Sequence, residues 1–432
     1  MSRSTRTIKV DFLTRVEGEG ALTLRFQGDE PKSVELRIFE PPRFFEAFLR
    51  GRSALEAPDL TARICGICPV AYQMSACHAV EDALGVVPSP EIRALRRLLY
   101  AGEWIESHVL HMFLLHAPDF LGYADAIEMA GQHAELVKAA LRIKKAGNTL
   151  VTRVGGREIH PINVRVGGFH RAPSRSELVG LLPELEWAKA TLAASLPTLA
   201  ALPFPELDRP VEQVSLRHPG EYPFCEGRLV SSAGLDVDVH DYEQHFAERH
   251  QARSTALHSE HVGHGAYVVG PLARFNLCFE QLRPFARSHA EKLGLTPPVT
   301  NPFRSLLVRG IETLQALDES VELIETYRPP SPAHVPVPLR AGIGMAATEA
   351  PRGTLFHRYR LSDDGSISEA KIVPPTSQNQ KAIEDDLFAI ARRLAALPHD
   401  AATRLAEQTV RNYDPCISCS THFLRLRVER EG

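Results

Sequence analysis

Two Cys-x-x-Cys pairs stand near opposite ends of the chain. One is Arg63-Ile64-Cys65-Gly66-Ile67-Cys68-Pro69 and the other is Asp414-Pro415-Cys416-Ile417-Ser418-Cys419-Ser420-Thr421-His422. Pro69 suits the first position of a helix, which puts Cys68 at its N-cap. Asp414 followed by Pro415 is also a helix-start signature. A helix N-terminus offers free N–H groups and a positive dipole end, which favour thiolate, the form that binds metal. Four thiolates suit soft or borderline metals. On spacing alone a structural zinc site, a redox metal site and a set of plain buried cysteines all stay open. A thioredoxin-like dithiol is poorly supported, because neither pair sits in a βαβ pattern. The chain has seven cysteines, an odd number, which argues against a secreted disulfide framework. Cys77, Cys225 and Cys278 are expected to be small buried residues.

Several elements must bring the two pairs together. Ile8–Phe12 and Leu22–Phe26 alternate like strands of a small antiparallel sheet. Phe44–Leu49 reads as a short helix. Helical periodicity then runs through 69–85, 91–116, 124–146, 175–200, 240–259, 276–293 and 305–326, with Pro/Gly-rich breaks at 201–223 and 328–343. The 354–373 stretch alternates again, as a hairpin turning at Asp364-Gly365. A last helix is expected near 379–395. The fold class is therefore α+β and predominantly helical: a long central bundle with small β regions near both ends. The chain reads as a single domain over 1–432. Its regions are an N-terminal β-containing part (1–60), a helical core (61–345), a part that closes the site (346–422) and a tail (423–432).

The 432 residues carry a formal net charge of −4, which makes no electrostatic case for nucleic acid or anionic membrane. The N-terminus has basic residues but no apolar stretch like a secretory signal, and no apolar run would span a bilayer. A cytoplasmic protein with no direct membrane span is expected.

Arg63-x-Cys-Gly-x-Cys and Asp414-Pro-Cys-x-x-Cys-x-x-His resemble the two signatures of nickel–iron hydrogenase large subunits. Arg15-Val16-Glu17-Gly18, Arg43-Phe44-Phe45-Glu46, Ala350-Pro351-Arg352-Gly353 and Val373-Pro374-Pro375-Thr376 resemble further family segments, in family order and over nearly the full length. Pro69–Ala76 and Pro374–Asn379 look most like the soluble, nicotinamide- or sulfur-linked branch. Two departures stand out: Tyr72 where many members have His, and Ser107 roughly where some have an acid.

The resemblance implies reversible cleavage of H2 to protons and electrons at a Ni–Fe(CN)2(CO) centre. Cys65 and Cys416 would be terminal nickel ligands, and Cys68 and Cys419 would bridge nickel to iron. Glu17 would be the first proton acceptor, with Glu19 its rival. Pro351 and Arg352 would lie over the open metal position, Thr376 would donate to a cyanide, and Asp414 would cap a helix, accept in the site, or both. Glu46, the Ile372 carbonyl and His422 would hold Mg2+ (or iron) at a second site. An iron–sulfur small subunit is implied as electron acceptor, with a flavin/NAD(P) reductase beyond it, because this chain has no further cluster motif and no strand-preceded G-x-G-x-x-G. A maturation endopeptidase that cuts after His422 is implied as well; the tail's alternation of apolar and charged residues leaves open that it stays as an edge strand. His108, His111 and His116 are expected in the core or at an interface, or along a proton path. Two other readings are a non-catalytic respiratory-complex homologue, which the four cysteines argue against, and a hydrogen sensor with the same site.

Overall fold

The structure is a computed structural model that describes residues 5–28, 30–41 and 44–421. Thr5–Val10, Gly20–Gln27 and Glu30–Ile38 form an antiparallel meander. Leu22, Leu24 and Phe26 alternate inward beside Ile8, Leu36 and Ile38 and are buried, as a period-2 pattern requires.

Helices make the centre. Pro90–Val109 runs without a break into a π-helical turn, Leu110–His116, so the expected 91–116 helix is one rod with a widened last section. It packs on Ala134–Gly155 and Ser305–Glu325. At the first crossing a Cβ on Gly147 would come within 2.8 Å of the Gly102 carbonyl oxygen and 2.9 Å of the Glu106 nitrogen. Only glycine lets these backbones approach so closely. One apolar cluster extends from Ile8 to Cys419, so both ends of the chain share a core. No described helix is long and apolar enough to cross a membrane.

The two cysteine regions are joined by packing. Pro69–Leu84 follows the first pair and lies against Gly342–Ala350, an outer strand of the antiparallel sheet Gly342–Ala350, Gly353–Leu361, Ile367–Val373. The last two strands are the expected hairpin, and Gly365 in its turn has φ +77°.

Other expectations fail. Residues 240–259 are not a helix: a single turn, Tyr242–His245, leads into paired strands Phe246–Arg249 and His258–His261. Tyr242 and Phe246 supply one i, i+4 repeat, but their rings pack on Phe356 and Tyr267 of neighbouring strands. The 201–223 break contains Glu212–Arg217, central in a four-stranded mixed sheet with Tyr267–Val268, Arg228–Ser231 and Asp236–Val237. The 276–293 helix is two, Pro271–Cys278 and Pro284–Lys292, since Pro284 has no N–H to continue the first. The helix near 379–395 starts at Pro375 and is not the last, because His399–Arg411 follows it.

Candidate metal centre

Cys65 leaves a 3-10 turn, Ala62–Ile64, in extended conformation, and Cys68 is the N-cap of Pro69–Leu84. The N–H groups of Ile67 and Cys68 point at the Cys65 sulfur, 3.4 and 3.1 Å away. The next orphan donors, Val70 and Ala71 N–H, are taken by the Glu103 carboxylate at 2.6 and 3.0 Å. Helix-end polarity therefore serves Cys65, and a buried acid from the central rod serves the rest. Glu103 escaped the sequence reading because a Glu inside an amphipathic helix carries no local sign of such a partner.

The second pair is built differently from expectation. Asp414 does not cap a helix. It has φ +48°, and Cys416 is the residue preceding the short Ile417–Ser420 helix. The Cys416 N–H donates instead to Thr376 Oγ1 at 2.9 Å, which leaves the threonine hydroxyl proton free to donate elsewhere.

All four cysteines are buried, and their sulfurs lie within 4.8 Å of one another. Cys65 Sγ is 2.8 Å from Cys68 Sγ and 3.5 Å from Cys416 Sγ. Cys416 and Cys419 are in disulfide contact with Cα atoms 5.4 Å apart; as metal ligands they act in the reduced form. Burial raises the Cys65 thiol, but the Cys68 thiol and the Arg352 guanidinium outweigh it and leave Cys65 below its ordinary pKa. Cys68, which donates to Cys65 and is buried, is pushed well above its own.

Glu17 meets this cluster from the other end of the chain. It forms a parallel bridge with Cys416. Its Oε2 accepts from Ser418 N–H at 3.0 Å and stands 3.1 Å from Cys416 Sγ. Glu19 is exposed, and its N–H faces Glu40. Arg352 is buried, with Nε donating to the Asp414 carbonyl at 2.7 Å and Nη2 3.3 Å from Asp414 Oδ1. Burial opposes its charge, yet Asp414, Cys68, Cys65 and Glu17 together keep its pKa above the arginine value. Arg352 Nη1 is buried with no protein partner, as a donor held for a bound group would be. Pro351 offers its carbonyl to Arg274, which also binds the Ala350 carbonyl, Glu312 and Glu349. This fully buried cation fixes the turn that carries Arg352, and sequence reasoning missed it.

Glu46 accepts the Ile372 N–H at 2.8 Å. Both line a cavity with Glu248, Cys419, Ser420 and Thr421. His422 lies outside the described residues, as do Arg43 and the 423–432 tail. Glu248 was overlooked because its strand was read as helix. His108, His111 and His116 are fully buried rather than at a surface. His108 Nε2 is 3.0 Å from Glu312, and His111 Nε2 is 2.7 Å from the Arg411 carbonyl. Cys77, Cys225 and Cys278 are buried with thiol pKa values raised by burial, the last two to about 12.

Four convergent buried sulfurs, an unpaired guanidinium donor and a free hydroxyl fit a thiolate-held metal centre with small acceptor ligands. The profile of the family described as nickel-dependent hydrogenase matches residues 43–157 and 305–422, which include all four cysteines. The chain belongs to that family. This hydrogenase is 35% identical over 422 residues to the sulfhydrogenase 2 alpha subunit of Pyrococcus furiosus, covering 97% of this chain and 100% of that one. It is 32% identical to the sulfhydrogenase 1 alpha subunit of the same organism, covering 97% and 98%. A solved NAD+-reducing [NiFe]-hydrogenase in the H2-reduced state superposes with a TM-score of 0.89 at 28% identity, covering 96% of this chain and 99% of that one. The hydrogenase is thus a large, catalytic subunit, an oxidoreductase acting on hydrogen.

Proposed function

We propose that Cys65, Cys68, Cys416 and Cys419 hold the nickel–iron centre, in which Cys65 and Cys416 would be the terminal nickel ligands and Cys68 and Cys419 would be shared with an iron carrying CO and cyanide. When bound, the centre supplies the redox chemistry that splits H2 into two protons and two electrons. The observation that carries the reading is Glu17 Oε2 at 3.1 Å from Cys416 Sγ, inside a buried cluster of four sulfurs. Glu17 takes the proton from that sulfur side, because heterolysis needs an acceptor within hydrogen-bond reach. Ser418 N–H holds the carboxylate, and Ser418 Oγ donates to the half-buried Glu40 at 2.6 Å. Protons leave along this line toward solvent. Arg352, anchored by Asp414 and Arg274, keeps a fixed cation over the metal position beside Pro351. Thr376 holds Cys416 through its oxygen, and its hydroxyl would donate a hydrogen bond to a cyanide. Burial excludes bulk water from the four sulfurs, Arg352, Asp414 and Thr376, while Glu17 and Glu40 are half-buried on the way out.

Glu46, the Ile372 carbonyl and His422 would hold Mg2+ at the second site, and the cavity that Glu46 and Ile372 share supports that assignment. Electrons pass to an iron–sulfur small subunit and, in a cytoplasmic complex, through a flavin reductase to NAD(P) or sulfur. The relatives' names, sulfhydrogenase and NAD+-reducing hydrogenase, support sulfur and NAD+ as the final acceptors. An endopeptidase removes the tail after His422 once nickel is in place. The deciding test is Cys416→Ser with metal analysis and infrared spectra of the purified complex. Loss of nickel and of H2 turnover is expected, whereas a variant that keeps both sinks the assignment.

A further inference from the structure

A second cluster of metal-ligand type lies on the four-stranded mixed sheet, and the sulfur centre does not use it. Glu212 opens the Glu212–Arg217 strand and pairs in parallel register with Tyr267. His261 and His264 sit in the tight turn that links His258–His261 to that pairing partner. The turn is closed by His264 N–H and Gly265 N–H on the His261 carbonyl at 3.0 and 2.8 Å. Gly263 and Gly265 take φ of +82° and +94° there, conformations that side chains rarely adopt. The turn is therefore defined by its backbone, and it aims both imidazoles at one carboxylate.

His261 Nδ1 is 2.9 Å from both Glu212 oxygens, and His264 Nδ1 is 3.2 Å from Oε2. The two rings stack with centroids 4.2 Å apart and planes 21° apart. A hydrogen bond accounts for one imidazole on a carboxylate. It does not account for a second, stacked ring that offers the same nitrogen to the same oxygen. If both rings were protonated, the stack would bring like charges into contact. Ligands bound tetrahedrally at about 2.0–2.1 Å lie roughly 3.3 Å from one another, close to these separations.

We propose that Glu212, His261 and His264 bind a borderline divalent cation of the Zn2+ class. Two neutral imidazoles and a carboxylate are the N,N,O donor set that such ions prefer. The side chains of Glu212 and His261 are 9% and 5% exposed, while His264 is 48% exposed. The site is thus anchored on one side and open to ion entry and to water on the other. Asp385 lines the same hollow, with one carboxylate oxygen paired to Lys381; Arg209, also there, is paired with Asp386. The ion clamps the 261–265 turn to the sheet. Beyond the turn, Tyr267 OH donates to Gln378 and Val269 N–H to Asn379, on the helix that begins beside Thr376. The site is therefore a structural staple behind the Thr376 helix.

The test uses the mature, nickel-loaded complex, in which the four cysteines already hold their metals. It is dialysed against a chelator and titrated with Zn2+ in competition with a chromophoric chelator, with nickel and iron measured alongside. One additional Zn2+ per large chain is expected. His264→Ala and Glu212→Gln should each weaken it by more than about tenfold, while nickel content stays at the wild-type level and reports an intact fold. No additional Zn2+ in the wild type, or Zn2+ binding unchanged in either variant, overturns the proposal.

Discussion

Glu17 and Glu19 are two residues apart in one glycine-rich loop, and only Glu17 reaches sulfur. The difference arises because Glu17 is bridged to Cys416 while Glu19 faces outward. Glu17→Gln keeps the size and the contact to Ser418 but cannot carry a proton. It should retain nickel and lose H/D exchange by about 10²–10⁴-fold, the usual worth of a positioned acid–base group. Mass spectrometry of evolved HD checks this, and unchanged exchange would assign the role to another group. At this scale, residues inside a motif were legible in the sequence: the cysteines, Glu17, Arg352 and Thr376 each lie in a recognisable run. Glu103, Arg274 and Glu248 were not, because their partners come from distant segments. Arg274 is an ordinary helix residue until Glu312, Glu349 and the Pro351 carbonyl converge on it.

Among the elements, the contact of the Pro69–Leu84 helix with the Gly342–Ala350 strand matters most to the site, since it ties the first cysteine pair to the sheet next to Arg352. Gly344 makes this contact possible. A Cβ there would lie 2.0 Å from the Ala79 carbonyl oxygen and 2.3 Å from the Ala83 nitrogen, and both are backbone atoms that cannot swing away. Gly344→Ala should cost about 1–3 kcal/mol or more, read as a lower melting temperature, with reduced nickel loading because the two cysteine pairs no longer align. An unchanged melting temperature would show that the helix and strand part without cost, contrary to this account. The long helices were legible because their apolar stripes repeat over many turns. The strands at 212–217, 246–249 and 258–261 were not, because each is six residues or fewer. Over so short a span, one i, i+4 coincidence such as Tyr242 and Phe246 outweighs alternation.

Across the whole molecule, a nearly neutral chain buries many ionisable groups, and this sets its response to acid. Burial lowers His108 to about 4, and burial with Arg253 nearby lowers His258 to about 4. Both are neutral in the folded state, while the unfolded chain takes up their protons below about pH 6.5. Stability should therefore fall as pH drops from about 6.5 toward about 4, where the folded forms protonate too. Glu312, whose burial is outweighed by Arg274 and which is held at about 2, adds a second loss as pH falls from the ordinary carboxylate range to that value. Melting temperature against pH should show both limbs, and His258→Gln should flatten the upper one. A flat profile between about pH 7 and 5 would contradict this. The bridge between Glu17 and Cys416 also has a consequence in time. Ribosomes add about 5–20 residues per second, so the 351 positions from Cys65 to Cys416 take roughly 20–70 s to make. Throughout that interval the nascent chain displays Cys65, Cys68 and Glu17 without their counterparts. Half of the thiolates are thus made long before the other half, and any carrier that delivers metal during synthesis meets a two-cysteine chain first.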